Sequence, residues 1–141
     1  MADILEQIVE TYLTINRGTF VSPQYLVGEP KVWESNPDFV AISFSENIAW
    51  MVEVTRTPNR GLYDKITQFN EQYIPRIRKQ LESHKVIRDW DEAHWNIGFW
   101  VFVPSKQKLA VENRLEKAGV LKKEVTPLEE TMFPTWEKRF L

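Results

Sequence analysis

The sequence contains no cysteine, which excludes disulfide bonds, thiolate catalysis and zinc sites built on cysteine ligands. Its apolar runs are far shorter than the roughly 18 residues of a membrane-spanning helix. The start, MADILEQIVE, lacks the basic region and long apolar segment of a signal peptide. No phosphate-binding glycine loop, dinucleotide fingerprint or nucleophile elbow is present. We therefore expect a soluble, cytoplasmic protein with no membrane partner.

The sequence also has no large excess of basic or of acidic residues. Lys and Arg total 18 and Asp and Glu total 20, so the net charge is -2. A nucleic-acid partner would therefore have to bind a local patch of the surface. The 141 residues are 43% hydrophobic, a length and composition typical of one domain. We expect residues 1–141 to form a single domain; whether it assembles into a homo-oligomer stays open.

The hydrophobic periodicity predicts alternating helices and strands. The predicted order is a helix at 3–16, strands at 19–28, 38–44 and 47–57, a helix at 62–83, a strand at 96–103, a helix at 105–119 and a last strand within 120–128. Pro23 marks an edge or a bulge of its strand, and Pro75 predicts a kink or break of the long helix near residues 72–74. The order α-β-β-β-α-β-α-(β) indicates an α/β fold, a mixed sheet with helices on both faces.

The mostly apolar hairpin 38–57 carries an acidic residue near each of its ends, Asp38 and Glu53. A turn at Ser45-Glu46 places Asp38 directly opposite Glu53, and a turn one residue later places Asp38 opposite Thr55. In both registers the three side chains share one face of the sheet. The β-carbons of directly opposed residues lie about 5 Å apart, so two carboxylates there repel each other and the pKa of at least one is raised. A bound Mg²⁺ would turn this repulsion into attraction, because Mg²⁺ is typically held by one or two carboxylates together with water and phosphate oxygens.

These motifs resemble the restriction-endonuclease-like PD-(D/E)XK nuclease superfamily. The similarity consists of Pro37-Asp38 before one strand, Glu53-Val54-Thr55 on its hairpin partner and a first helix that carries an acid. The layout is similar to that of archaeal Holliday-junction resolvases. The resemblance implies a restriction-endonuclease-like fold, DNA as the partner, and Mg²⁺ or Mn²⁺ held by Asp38 and Glu53. It also implies that Glu6 is the acid of the first helix and assists at the site.

The last position of the motif departs from the family pattern. Thr55 stands where the family usually has a catalytic lysine, and a hydroxyl cannot supply the positive charge of that lysine. Some members draw the lysine from elsewhere, and Lys65 in the following helix could reach in; Gln68 in the same helix matches a polar position often found there.

Two functions therefore stay open at this point. The first is a metal-dependent DNA endonuclease-like enzyme with Asp38, Glu53, Thr55 and Glu6 at a site that is altered or inactive. The alternative is a non-catalytic module of the nuclease fold that binds nucleic acid or a protein partner.

Other charged and aromatic residues carry weaker signals. The acids and the histidine of the stretch RDWDEAHW fit no standard metal-ligand spacing and are interpreted as a solvated loop; they are Asp89, Asp91, Glu92 and His94. The basic residues of 75–85 are interpreted as a solvated helix face. Trp50 and Trp100 lie in apolar strands and are predicted to be buried. The remaining tryptophans are predicted to lie in loops; they are Trp33, Trp90, Trp95 and Trp136.

Overall fold

A mixed five-stranded sheet forms the centre of the chain in this computed structural model, which describes residues 4–16, 20–23, 37–83 and 95–131. In spatial order the strands are β1 (Phe20–Pro23), β2 (Phe39–Ser43), β3 (Ile48–Val54), β4 (Asn96–Val103) and β5 (Lys123–Pro127). Strands β1 to β3 pair antiparallel, whereas β4 runs parallel to β3 and to β5. The predicted α/β fold class, a mixed sheet flanked by helices, is confirmed.

Four α-helices accompany the sheet in the described residues. They are α1 (Ile4–Asn16), α2 (Arg60–Gln68), α3 (Ile74–Ser83) and α4 (Lys108–Lys117). A 3₁₀ turn, Ser105–Gln107, leads into α4, and Gly119 behind it has the positive φ of 73° that suits a glycine after a helix end. Within these ranges no helix has the length and apolarity needed to cross a bilayer.

The predicted break in the long helix takes the form of a π-helical turn, Phe69–Tyr73, between α2 and α3. Pro75 has no backbone N–H and cannot join a regular α-helical hydrogen-bond ladder. The wider turn, closed by the Ile74 N–H on the Phe69 carbonyl, accommodates the lost donor just before the proline. The helix starts at Arg60, two residues earlier than predicted, because Asn59 caps it.

Both faces of the sheet are buried, as the apolar sequences of the strands predict. Helices α2 to α4 cover one face, whose sheet residues include Val40, Ile42, Ala49, Met51, Phe99 and Val101. Helix α1 covers the other face with Val9 and Leu13. Trp50 and Trp100 are buried on that second face, so their predicted core positions are confirmed. Trp95 is half-buried just before β4, and the other three tryptophans lie outside the described residues.

The β2–β3 hairpin adopts the first of the two predicted registers. Phe39 pairs with Val52 and Val40 pairs with Met51, which places Asp38 opposite Glu53 at the open end. The strands are shorter than predicted, because residues 44–47 form a four-residue turn in which Asn47 has a φ of 54°. Asparagine tolerates this left-handed conformation better than most residues. The alternative register, with Asp38 opposite Thr55, is wrong.

Gly98 is a testable requirement of this packing. A Cβ atom there would lie 2.6 Å from the Trp50 ring and 3.0 Å from the Lys122 carbonyl oxygen. We expect Gly98→Ala to lower the free energy of unfolding by about 1–3 kcal/mol, since a filled core has no room for the methyl group. Chemical denaturation measures this loss. Gly61→Ala is the control, since its Cβ would meet only the Asn59 side chain at 3.2 Å, and equal stability of the two variants would contradict this account.

Candidate functional site

A cleft of about 190 Å³ opens where β3 ends and α2 begins. Its walls come from the start of β2, the end of β3 and the first turns of α2. The lining residues are Asp38, Glu53, Val54, Thr55, Asn59, Gly61, Leu62 and Lys65. Of the predicted site residues, the structure therefore brings Asp38, Glu53 and Thr55 together in one cleft.

Asp38 and Glu53 are locked side by side by reciprocal backbone contacts. The Asp38 N–H donates to Glu53 Oε2 at 3.1 Å, and the Val54 N–H donates to Asp38 Oδ2 at 2.9 Å. Each carboxylate thus accepts a hydrogen bond from the neighbouring strand just beyond the last pair of the β2–β3 ladder. The two acids form the polar end of the hairpin and line the cleft, and the second oxygen of Glu53 faces α2.

A lysine enters the cleft from α2. The Lys65 ammonium forms an ion pair with Glu53 Oε1, and the side chains are only 14% and 5% exposed. The helix is anchored by Leu62 and Ile66, both buried in the core, so the intervening turn presents Lys65 to the strands. The positive charge that Thr55 cannot supply is therefore delivered from a different element.

The protonation of Asp38 reflects the crowding of the two acids. Burial is the main cause that raises its pKa from 3.8 to about 7, and the charge of Glu53 and a hydrogen bond with the Glu53 side chain raise it further. The Val54 N–H and the Lys65 charge oppose the rise. One acid of the pair thus has a raised pKa, as the sequence predicts, but burial contributes more to the rise than the repulsion on which the prediction was based.

The Thr55 hydroxyl is engaged locally. It donates to the Thr57 carbonyl at 2.9 Å and accepts from the Thr57 N–H at 3.2 Å. These bonds close a tight turn that ends β3 before residue 57, the predicted end of the strand. Thr55 therefore shapes the wall of the cleft and contributes no charge to it.

Glu6 and Gln68 are not among the residues that line the cleft. Glu6 is a half-buried residue of α1, the helix that packs on the opposite face of the sheet, and its role at the two carboxylates stays a prediction. Gln68 is the last residue of α2, at the end remote from the cleft. The acids and histidine of the stretch 89–94 lie outside the described residues, and the described ones contain no group of three or more potential metal-ligating side chains.

The sequence analysis did not predict that the start of α2 forms a wall of the cleft. Asn59 Oδ1 accepts from the Leu62 N–H at 3.1 Å and so caps α2. Asn59 and Gly61 line the cleft at this point, where a helix N-terminus favours negative charge. The signal was present in the run Pro58-Asn59, because asparagine is a preferred N-cap residue.

Comparisons with known proteins add one likeness of fold. No protein-family model matches the sequence, and a search of curated proteins finds no match. Among solved structures, the chain is similar to an XisH family protein from Nostoc punctiforme at 16% sequence identity and a TM-score of 0.49, over 92% of this chain and 94% of that chain. The assignment of a function therefore depends on the contacts of the chain's own residues.

The raised pKa of Asp38 predicts a pH dependence of stability. Between its usual pKa of 3.8 and its folded value of about 7, the folded state holds a proton that the unfolded state releases, so this residue's contribution to stability falls as pH rises. The variant Asp38→Asn keeps a neutral side chain at every pH. We expect its stability to improve relative to the parent from pH 4 to pH 8, measured by denaturation without divalent cations. A constant difference across that range would contradict the assignment.

The Glu53–Lys65 pair predicts a large effect of losing one partner. Lys65→Met leaves a buried carboxylate without its cation, which should lower the free energy of unfolding by about 3–5 kcal/mol at neutral pH. The double variant with Glu53→Gln should recover much of the loss. Arg60→Met is a matched control on the same helix, because Arg60 forms an exposed pair with Asp64 at 3.9 Å, a kind of pair worth at most about 1 kcal/mol. Equal effects of the two single variants would contradict the buried pair.

Proposed function

We propose that this protein is a metal-dependent endonuclease-like hydrolase of DNA phosphodiester bonds, with Asp38 and Glu53 as metal ligands and Lys65 in the role of the motif lysine. The observation that supports this most is the ion pair of Lys65 with Glu53 beside Asp38. The motif has no lysine at position 55, but Lys65 of the following helix brings a positive charge to the same two acids. The site then contains the three charged groups that the resemblance implies.

The donor set of the cleft fits a hard divalent cation. Asp38 and Glu53 offer carboxylate oxygens from facing strand ends, and Mg²⁺ is typically bound through one or two carboxylates together with waters and phosphate oxygens. The charge of Glu53 contributes to the raised pKa of Asp38, and a divalent cation held between the two carboxylates would offset that repulsion. When bound, Mg²⁺ or Mn²⁺ would polarise the phosphate and lower the pKa of a water molecule.

The remaining groups of the cleft suit a phosphate. The Lys65 ammonium stands in the wall next to Glu53, where it can stabilise negative charge that develops on a phosphate oxygen. The N-terminus of α2, capped by Asn59, opens into the same space and adds the positive end of the helix dipole. Asp38 must lose its proton to become a metal ligand, so metal binding should strengthen as pH rises through about 7.

One observation favours the alternative, a non-catalytic module of the same fold that binds nucleic acid or a protein. Lys65 already neutralises Glu53, and Asp38 holds a proton at neutral pH to a substantial degree. The negative charges of the two acids are thus balanced by a lysine and a proton, without a metal ion, as at a purely structural site. The two functions differ in whether Mn²⁺ binds and whether DNA is cut.

The first measurement is binding of Mn²⁺, detected as a rise in melting temperature of the parent protein. We expect a rise in the parent and none in Asp38→Asn. DNA cleavage by the parent should then require Mg²⁺ or Mn²⁺, and Lys65→Met should reduce the cleavage rate by about 10²–10³-fold, the usual cost of one removed electrostatic stabiliser.

A relocated lysine gives the sharper test. Thr55→Lys added to Lys65→Met places the ammonium at the usual position of the motif, and we expect it to restore part of the lost cleavage. Arg60→Met again serves as the control on α2 and should cut as the parent does. Binding of DNA without any cleavage or response to Mn²⁺ would reject the hydrolase and support the binding module.

A further inference from the structure

A second cleft, of about 310 Å³, lies at the other end of α2. Its walls are the π-helical turn and α3, the start of β4 and the loop that follows α4. The lining residues are Phe69, Asn70, Ile74, Arg78, Trp95, Asn96, Ile97, Gly119, Leu121 and Lys122. It shares no lining residue with the first cleft. Ile97 is four residues before Val101, the partner of Glu53 in the sheet, so the two clefts lie about 13 Å apart along the strands.

The loop wall of this second cleft is held in place by hydrogen bonds from the helical wall. The Asn70 side-chain amide donates to the carbonyl oxygens of Ala118 at 3.3 Å and Gly119 at 3.0 Å. The Val120 N–H closes the end of α4 by donating to the Leu115 carbonyl at 3.1 Å. These contacts tie the π-helical turn to the loop at a fixed separation.

Contacts with β4 also hold the floor of the second cleft and the far end of the loop after α4. The Phe99 N–H donates to the Lys122 carbonyl at 2.9 Å, and the missing side chain of Gly98 permits this close approach. Below the cleft the rings of Phe69 and Phe99 pack with their centroids 4.9 Å apart. The cleft is therefore formed before any ligand arrives, as in most small-molecule sites, and its volume falls within their range.

The described lining of this cleft carries two basic side chains. Arg78 and Lys122 are the charged residues among the described residues that line it. Lys122 is exposed and Arg78 is half-buried. Guanidinium and ammonium groups on facing walls suit an oxyanion such as a phosphate.

An aromatic surface accompanies the two cations. Trp95 is half-buried, and its ring packs nearly perpendicular to that of Phe44, with the centroids 5.8 Å apart. Leu121, which is 89% exposed, adds an apolar rim. Proteins that bind nucleotides or single strands combine a stacking aromatic side chain with basic groups for the backbone in this manner.

We propose that this second cleft binds a nucleotide unit, with the base against Trp95 and the phosphate between Arg78 and Lys122. The Asn96 side chain at the entrance offers a donor and an acceptor to the edge of the base. The ligand is either a free nucleotide or one nucleotide of a single strand. This inference is independent of the hydrolase proposed for the first cleft.

Calorimetric titration with adenosine monophosphate and, separately, with inorganic phosphate tests the proposal. We expect Trp95→Ala to weaken nucleotide binding by about 5- to 150-fold, the range for loss of one stacked base, and to leave phosphate binding unchanged. Lys122→Gln should weaken both ligands, and Trp95→Phe should retain most of the nucleotide affinity. Lys117→Gln, an exposed lysine outside the lining residues, is the matched control and should bind as the parent does.

A short single-stranded oligoadenylate distinguishes the two sources of the nucleotide. Tighter binding than the monophosphate identifies a strand, and equal binding identifies a free nucleotide. The proposal is overturned if neither nucleotide ligand saturates, or if Trp95→Ala and Lys122→Gln both bind normally.

Discussion

The buried charge of Glu53 is the constraint on which the architecture of the first cleft depends. A carboxylate at 5% exposure is stable only with a cation or with hydrogen-bond donors to its oxygens. The protein supplies both, an ammonium from α2 and a backbone N–H from the start of β2. Satisfying this one group therefore fixes the distance of α2 from the sheet and the register of the hairpin at its open end.

The neighbouring acid shows the cost of that arrangement. Asp38 lies between the Val54 N–H, which favours its charged form, and Glu53, which disfavours it. Burial is the main cause and the charge of Glu53 the next that raise its pKa to about 7, so a small change of pH or the arrival of a cation alters its charge. A cluster of this kind, with a strongly shifted pKa in a cleft, is typical of functional sites, although structural ion-pair networks shift pKa values as well.

Helix α2 joins the two clefts. Its capped N-terminus and Lys65 form part of the first, and the π-helical turn that follows it forms a wall of the second. Pro75 is the local cause of that turn, and the turn carries Asn70, which holds the loop after α4. π-helical turns are frequent at functional sites because they redirect side chains from a regular helix.

The sequence by itself determined the order of elements, the two-sided burial of the sheet and the shared face of Asp38 and Glu53. These features follow from local periodicity, since side chains alternate along a strand and recur every 3.6 residues along a helix. Strand β4 was predicted at its observed bounds, 96–103. The hairpin strands were predicted too long. Strand β3 ends early because the Thr55 hydroxyl donates a hydrogen bond to the Thr57 carbonyl and forms a turn, which the hydrophobic pattern does not reveal.

Only the tertiary structure decided which lysine contacts the acids and which face of the sheet the first helix covers. Lys65 and Glu53 are twelve residues apart, and their contact depends on how α2 packs on the sheet. Glu6 has a suitable place in sequence, but α1 packs on the opposite face of the sheet. The second cleft likewise joins Trp95, Arg78 and Lys122 from three separate elements. Such contacts arise from packing between distant segments, whereas sequence periodicity reports only on neighbours along the chain.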